Sequence, residues 1–418
     1  MLEGLIYKNL MKKKYIVFFV AILLLVGGYF LLFHKDKSLK HIPENADIVV
    51  LIDVKKATRQ YVFSFLMHPS KWFEEKKKED KTISFANSGL EIPDFVEIFH
   101  LNKTKISEWY TILEINDKTK FTAFLKSRQF LAEGKDRFKN NQFFVKIEGE
   151  KCIVGTSDLN FNTIGKPLSQ KFENNVLNAD SFMSDGLGSI SFISELRTQN
   201  FSIDLNDDQI EFKNEQNSTD FEALISNVEP KTQFLNAELN SENIKKISSV
   251  FNENLTDSAS FDRLKMNSNL VEVNDTIISY GYDDNFNEVE KISYQKIIQP
   301  NYEISIQSSN PDKIWAYFQN KKWINAQNQF TVIPFQPNLI SKEKNHVSIK
   351  STPQSVKLSD TKNENYILIK NNPLIYSAFK TFNHQFLREV EYVFYGNKNI
   401  DYYVKIKFKK DKLPLILR

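Results

Sequence analysis

The chain has 418 residues, 41% hydrophobic and 26% charged, an ordinary globular composition that argues against wholesale disorder. Its net charge of +3 belongs to the first 40 residues, where seven lysines face Glu3 and Asp36, leaving 48 basic against 50 acidic residues elsewhere. So balanced a remainder has no global field to draw nucleic acid, and its single cysteine, Cys152, excludes an intramolecular disulfide and a cysteine-rich zinc site.

Residues 1–14, ending in Lys12-Lys13-Lys14, are expected to stay in the cytoplasm. Tyr15 to Phe33 then run without a charge, enough helix to cross about 28 Å of hydrocarbon. A cleaved signal would have a shorter apolar core ending in a small-x-small site; here the run ends in Tyr-Phe-Leu-Leu-Phe-His, which predicts a retained anchor. The short lysine-bearing N-terminus predicts N-in, C-out insertion. Residues 34–44 are read as a polar stalk.

Beyond the stalk, Ile48 to Ile52 form a short β-branched run closed by Asp53, and Val54 to His68 follow with helical spacing. This strand–Asx–helix unit recurs at Asn116-Asp117, Asn310-Pro311 and Asn371-Asn372-Pro373, where Asn or Asp suits the helix cap and Pro the first turn. The middle two units both read Lys-Φ-x-Ala-Φ-Φ, then a basic residue, then Phe130-Leu131 or Trp323-Ile324, then Gln-Phe and a strand. That match predicts a degenerate duplication over 45–225 and 240–418. Alternating segments at 276–282, 291–299, 346–350, 391–395 and 402–409 read as strands, and Phe201 to Phe212 as a hairpin turning at Asn206-Asp207-Asp208. The expected fold is α+β: an N-terminal transmembrane helix and a duplicated ectodomain of antiparallel sheets with covering helices.

The stretch from Ile42 to Asp53, Ile-Pro-Glu-Asn-Ala-Asp-Ile-Val-Val-Leu-Ile-Asp, resembles the opening of an uncharacterised family of membrane- or lipid-anchored envelope proteins of Bacteroidota-type bacteria. The duplicated layout and the closing strand before Leu413-Pro414-Leu415 are similar too. The resemblance implies the bacterial inner membrane with a periplasmic C-terminal domain, and it implies no reaction and no catalytic residues.

No local motif for catalysis stands. The six histidines (His34, His41, His68, His100, His346 and His384) are scattered without His-Glu-x-x-His spacing, and Gly186-Leu187-Gly188 lacks a third glycine and a following helix. Ser293–Lys296 and Ser341–Lys344 match Ser-x-x-Lys without the Lys-Thr-Gly strand that chemistry needs. Asp204, Asn206, Asp208 and Glu215 have calcium-loop spacing but Gln209 where the loop needs glycine, and Asp283 to Asn287 lack a chelating twelfth residue. Glu148/Glu150 and Glu389/Glu391 read as solvent-face charges, and Lys405, Lys407 and Lys409 as lysines guarding an edge strand. No catalytic, cofactor-binding or metal residue is therefore assigned, and no enzyme is expected. The expected role is a binding or scaffolding subunit of an envelope complex with a protein partner. The alternatives are a periplasmic ligand-binding or chaperone-like domain and an envelope hydrolase without a local motif. An apolar pocket would favour the ligand-binding domain, convergent carboxylates with displaced pKa values the hydrolase, and an exposed apolar surface the scaffold.

Overall fold

The computed structural model describes residues 22, 26–30, 32–67, 84–168, 177–183, 185–194, 197–206, 208–214, 219–250, 261–333, 338–353, 356–360, 363–378 and 385–410. The chain divides into two units, Met1–Asp204 with Ile416–Arg418, and Leu205–Leu415. Both are α+β, and every strand pairing is antiparallel. The expected membrane helix falls largely outside the described residues, and no helix within them is long and apolar enough to cross a membrane.

In the first unit the strands are β1 (Ser38–Leu39), β2 (Ala46–Asp53), β3 (Phe95–Leu101), β4 (Trp109–Glu114), β5 (Leu131–Ala132), β6 (Arg137–Lys139), β7 (Phe144–Glu148), β8 (Lys151–Gly155), β9 (Leu177–Asn178), β10 (Gly188–Ile193) and β11 (Thr198–Asn206). Helices α1 (Val54–Met67), α2 (Lys118–Ser127) and α3 (Phe161–Leu168) accompany them. The main sheet runs β11–β10–β2–β3–β4–β8–β7–β6–β5. Successive residues Cys152 and Ile153 are both fully buried, so both faces of β8 are covered. Ile153 packs with Phe99, Tyr110 and Phe161, while Cys152 packs with Phe121, Leu125 and Val145. Burial pushes the Cys152 thiol up to about 12, so it is a small core hydrophobe.

Residues 34–44, read as a stalk, run across this unit as a strap. Lys35 pairs with Asp53, the Asp36 N–H donates to Asp94, β1 pairs with β9, and Leu39 enters the core.

The second unit holds β12 (Gln209–Lys213), α4 (Thr219–Val228), β13 (Leu235–Asn240), α5 (Ser241–Val250), β14 (Arg263–Tyr282), β15 (Glu288–Gln307), α6 (Pro311–Asn320), β16 (Gln329–Phe330), β17 (Asn338–Lys342), β18 (His346–Lys350), β19 (Tyr366–Lys370), α7 (Leu374–Ala378), α8 (Gln385–Glu389), β20 (Val390–Lys398) and β21 (Asp401–Phe408). Its sheet runs β12–β21–β20–β19–β13–β14–β15–β18–β17–β16. Phe221, Ile225 and Val228 of α4 cover Tyr366, Leu368, Phe394 and Tyr403, and Ile314 and Phe318 of α6 cover Tyr302, Ile306, Val347 and Ile349.

All four Asx positions read from the sequence cap helices. Asp53 accepts from Lys56 N at 2.7 Å, Asp117 from Thr119 N and Lys120 N at 3.0 Å, Asn310 from Lys313 N at 3.2 Å and Asn372 from Leu374 N at 3.0 Å. Helices α2 and α6 also end alike. Gln129 (φ 62°) and Lys322 (φ 57°) turn left-handed, and the next N–H reaches back to the carbonyl five residues earlier, Phe130 to Leu125 at 3.0 Å and Trp323 to Phe318 at 2.8 Å.

The basic strip on β21 is not an edge guard. β21 lies between β20 and β12, so its edge is already occupied. Lys405 is only 5% exposed and donates to Glu222 of α4 at 2.7 Å, Lys407 pairs with Asp208, and Lys409 donates to the Arg388 carbonyl. The face carrying Tyr403, Lys405 and Lys407 is the covered one, because α4 supplies both an aromatic ring for Tyr403 and a carboxylate for Lys405.

Candidate functional site

β14 and β15 are 20 residues each, far longer than the strands beside them. β14 is paired to β13 only as far as Ser268, and β15 to β18 only from Glu303 onward. Outside those rows each of the two strands pairs only with the other among the described residues, from Asn269–Asn301 to Tyr282–Glu288. At about 3.4 Å per residue these rows extend roughly 45 Å as a two-stranded arm.

Antiparallel register puts residues with equal parity on one face. One face of the outer arm carries Thr276 opposite Tyr294, Ile278 opposite Ile292, Tyr280 opposite Glu290 and Tyr282 opposite Glu288. These rings and branches are open to solvent: Tyr280 is 64% exposed and Tyr294 74%. At the tip the Asp283 carboxylate accepts from Asn285 N and Asn287 N at 2.8 Å and from the Asn287 side chain at 3.1 Å. Those bonds hold its carboxyl below the ordinary range and close an Asx turn, which spends the ligand that a calcium reading needs. Phe286, at φ 63°, stands at the apex 86% exposed.

A free two-stranded ribbon is marginally stable in water, and an exposed apolar edge invites pairing. On one face Ile278, Tyr280, Tyr282, Ile292 and Tyr294, with Phe286 at the tip, form an exposed surface of the kind that marks an interaction site, and Ile277 is exposed on the other face.

The second candidate is a polar cleft in the first unit, a cavity of about 190 Å³ where the strap crosses β3 and β4. Glu97, 7% exposed, lies in its wall, and burial pushes its carboxyl up to about 7. His41 is driven down to about 4, first by burial and then by the charge of Lys151, with Glu114 at 3.5 Å opposing the shift. Asp36 is held at about 2 by the Ser38 hydroxyl and N–H. The cleft gathers carboxylates with displaced pKa values, the pattern set out above as favouring a hydrolase. Its geometry points elsewhere. Glu97 accepts from the strap N–H groups of Lys40 at 3.3 Å and His41 at 3.0 Å, so its oxygens clamp backbone. The cavity is also smaller than the roughly 300 Å³ at which small-molecule sites begin.

The remaining sequence candidates are dispersed. His100 is a satisfied core histidine, bonded to Asp47 at 2.6 Å and to the Lys105 carbonyl at 3.0 Å. Ser293 and Lys296 fall on opposite faces of β15, and Lys296 pairs with Glu272 at 2.6 Å. Glu148 pairs with Lys146, and Asp208 is taken by Lys407. Gly188 is needed for close approach, since a Cβ there would sit 2.4 Å from the Leu51 carbonyl oxygen. Among the described residues no three His, Cys, Asp or Glu side chains are grouped to hold a metal. Comparison with protein-family models, curated proteins and solved structures finds no match.

Reading the sequence alone missed both sites. The arm had one available signal: between Arg263 and Gln307 the densest turn chemistry is Asp283 to Asn287, with alternating apolar stretches on either side of it. The Glu97 clamp has no sequence signal, because its partners are backbone N–H groups 56 and 57 residues away.

Proposed function

We propose that this chain is a single-pass protein of the bacterial inner membrane whose periplasmic domain is a binding or scaffolding subunit of an envelope complex, with the β14–β15 arm as its docking element. One observation carries the reading: a long ribbon whose outer half exposes three tyrosines, three isoleucines and a phenylalanine. A surface of that kind is what a scaffold presents to its partner. The uncharged run from Tyr15 to Phe33 supports the anchor, and the resemblance of Ile42 to Asp53 supports the location. The shared strand order around β2–β3–β4–β8 and β13–β14–β15–β18, with α2 and α6 capped and closed alike, supports a duplicated ectodomain.

The test is affinity capture of tagged full-length protein from gently solubilised membranes, beside a variant in which Asn-Gly joins Val273 directly to Ile297. The expected result is a stoichiometric partner with the intact chain and its loss with the shortened arm. Equal capture by both would overturn the assignment of the arm, and a reporter fused after Arg418 that is active only in the cytoplasm would overturn the topology.

A further inference from the structure

Among the described residues the arm has two open edges, and they differ. From Asn269 to Tyr282 the β14 edge carries Glu272 and Asp275 and no basic residue, so two such edges brought together repel. The β15 edge from Glu288 to Ile298 carries both signs: Glu288 and Glu290 near the tip, Lys291 and Lys296 further in. Pro300, which cannot donate to a ladder, lies just beyond that stretch.

Resting on the arm's role as the docking element, we propose that its occupant is the same arm of a second copy, paired antiparallel along the two β15 edges about a two-fold axis at Ser293. In that register four of the five cross-copy pairs between Glu288 and Ile298 are complementary, and the outermost sets Glu288 opposite Ile298. Glu290 of each copy stands opposite Lys296 of the other, and Ile292 opposite Tyr294. On the other face Val289 meets Ile297 and Lys291 meets Gln295. Opposite charges and aromatic–β-branched neighbours are the pairs that stabilise a sheet. The neighbouring symmetric registers match at fewer positions. Centred on Ile292, Glu288 still meets Lys296, but Val289 meets Gln295 and Glu290 meets Tyr294; centred on Tyr294, Ile292 meets Lys296 and Lys291 meets Ile297. The pairing makes a four-stranded sheet β14–β15–β15–β14, which supplies the strand count a lone ribbon lacks. It leaves the acidic β14 edges outermost, and the antiparallel arrangement sends the two tips, each with Asp283 and Asp284, to opposite ends. The interface is isologous, as a closed two-fold requires.

The test is thiol crosslinking of full-length protein in its own membranes, oxidised with copper–phenanthroline and resolved without reductant. Cys152 is fully buried, so the unsubstituted chain is the silent control. Across the axis the two Ser293 Cα atoms lie about 4.5–5.5 Å apart, within disulfide reach. Ser293→Cys is expected to give a band at twice the chain mass, at least tenfold stronger than Thr276→Cys on the β14 edge. In the Ser293→Cys background, Glu290→Lys or Lys296→Glu alone is expected to remove the band and the double exchange to restore it. No band from Ser293→Cys, equal bands from both thiols, or an adduct of another mass would overturn the pairing. Such a result, with partner capture still lost on shortening the arm, sinks the second-copy inference alone; capture indifferent to the arm sinks the docking role as well.

Discussion

At Glu97 and His41 the structure sets two titrations against each other. Glu97 is raised from 4.5 to about 7, so the folded state holds its proton where the unfolded chain has lost it, and its contribution to stability falls as pH rises between those values. His41 is lowered from 6.5 to about 4, so the unfolded chain binds the extra proton, and its contribution rises over the overlapping window. From pH 4.5 to 6.5 the two slopes oppose. Denaturant unfolding of residues 34–418 across that window is expected to show a shallow profile for the native sequence. Glu97→Gln should leave a stability that climbs with pH, and His41→Asn one that falls, each by of order 1–3 kcal/mol. Identical profiles for all three would show that neither group changes its proton affinity on folding. Gly396 is a second sensitive position, because a Cβ there would lie 2.6 Å from the Phe221 ring in the core under α4. Gly396→Ala should cost about 1–3 kcal/mol in the same assay, and a neutral result would mean that α4 shifts without loss.

At the scale of elements, β21 and the arm put opposite demands on similar sequence. Both alternate apolar with polar residues, yet β21 buries its lysine face and the arm buries neither face of its outer half. Alternation told that these were strands. It did not tell which face a helix covers or whether a third strand lies alongside, since both depend on residues far away: Glu222 and Asp208 for β21, and the early ends of β13 and β18 for the arm. Local chemistry was legible where its partners are local, as in the four Asx caps and the buried thiol of Cys152. Lys405→Met should therefore cost about 1–3 kcal/mol by stripping Glu222 of its cation, a loss that Glu222→Gln in the same chain should reduce. Tyr280→Ser on the arm should change stability by less than about 0.5 kcal/mol while weakening capture. A large thermal shift from Tyr280→Ser would instead mark the ring as part of a fold-stabilising contact.

For the whole molecule, the two units share an antiparallel strand order around their central four strands, β2–β3–β4–β8 and β13–β14–β15–β18, and differ in the length of the middle hairpin and in the strands that flank the four. In the first unit the hairpin β3–β4 is short and stays within the sheet; in the second the hairpin β14–β15 runs on into the arm. An arm that serves as the proposed docking element is covered where the protein works. Hydrogen exchange of full-length protein in its own membranes, followed on peptides spanning 276–296, tests this most directly. Slow exchange is expected there, turning fast when the arm's contact is broken by Glu290→Lys. Exchange in the membrane as fast as that of an exposed loop would mean that the arm stands uncovered, and would overturn its docking role.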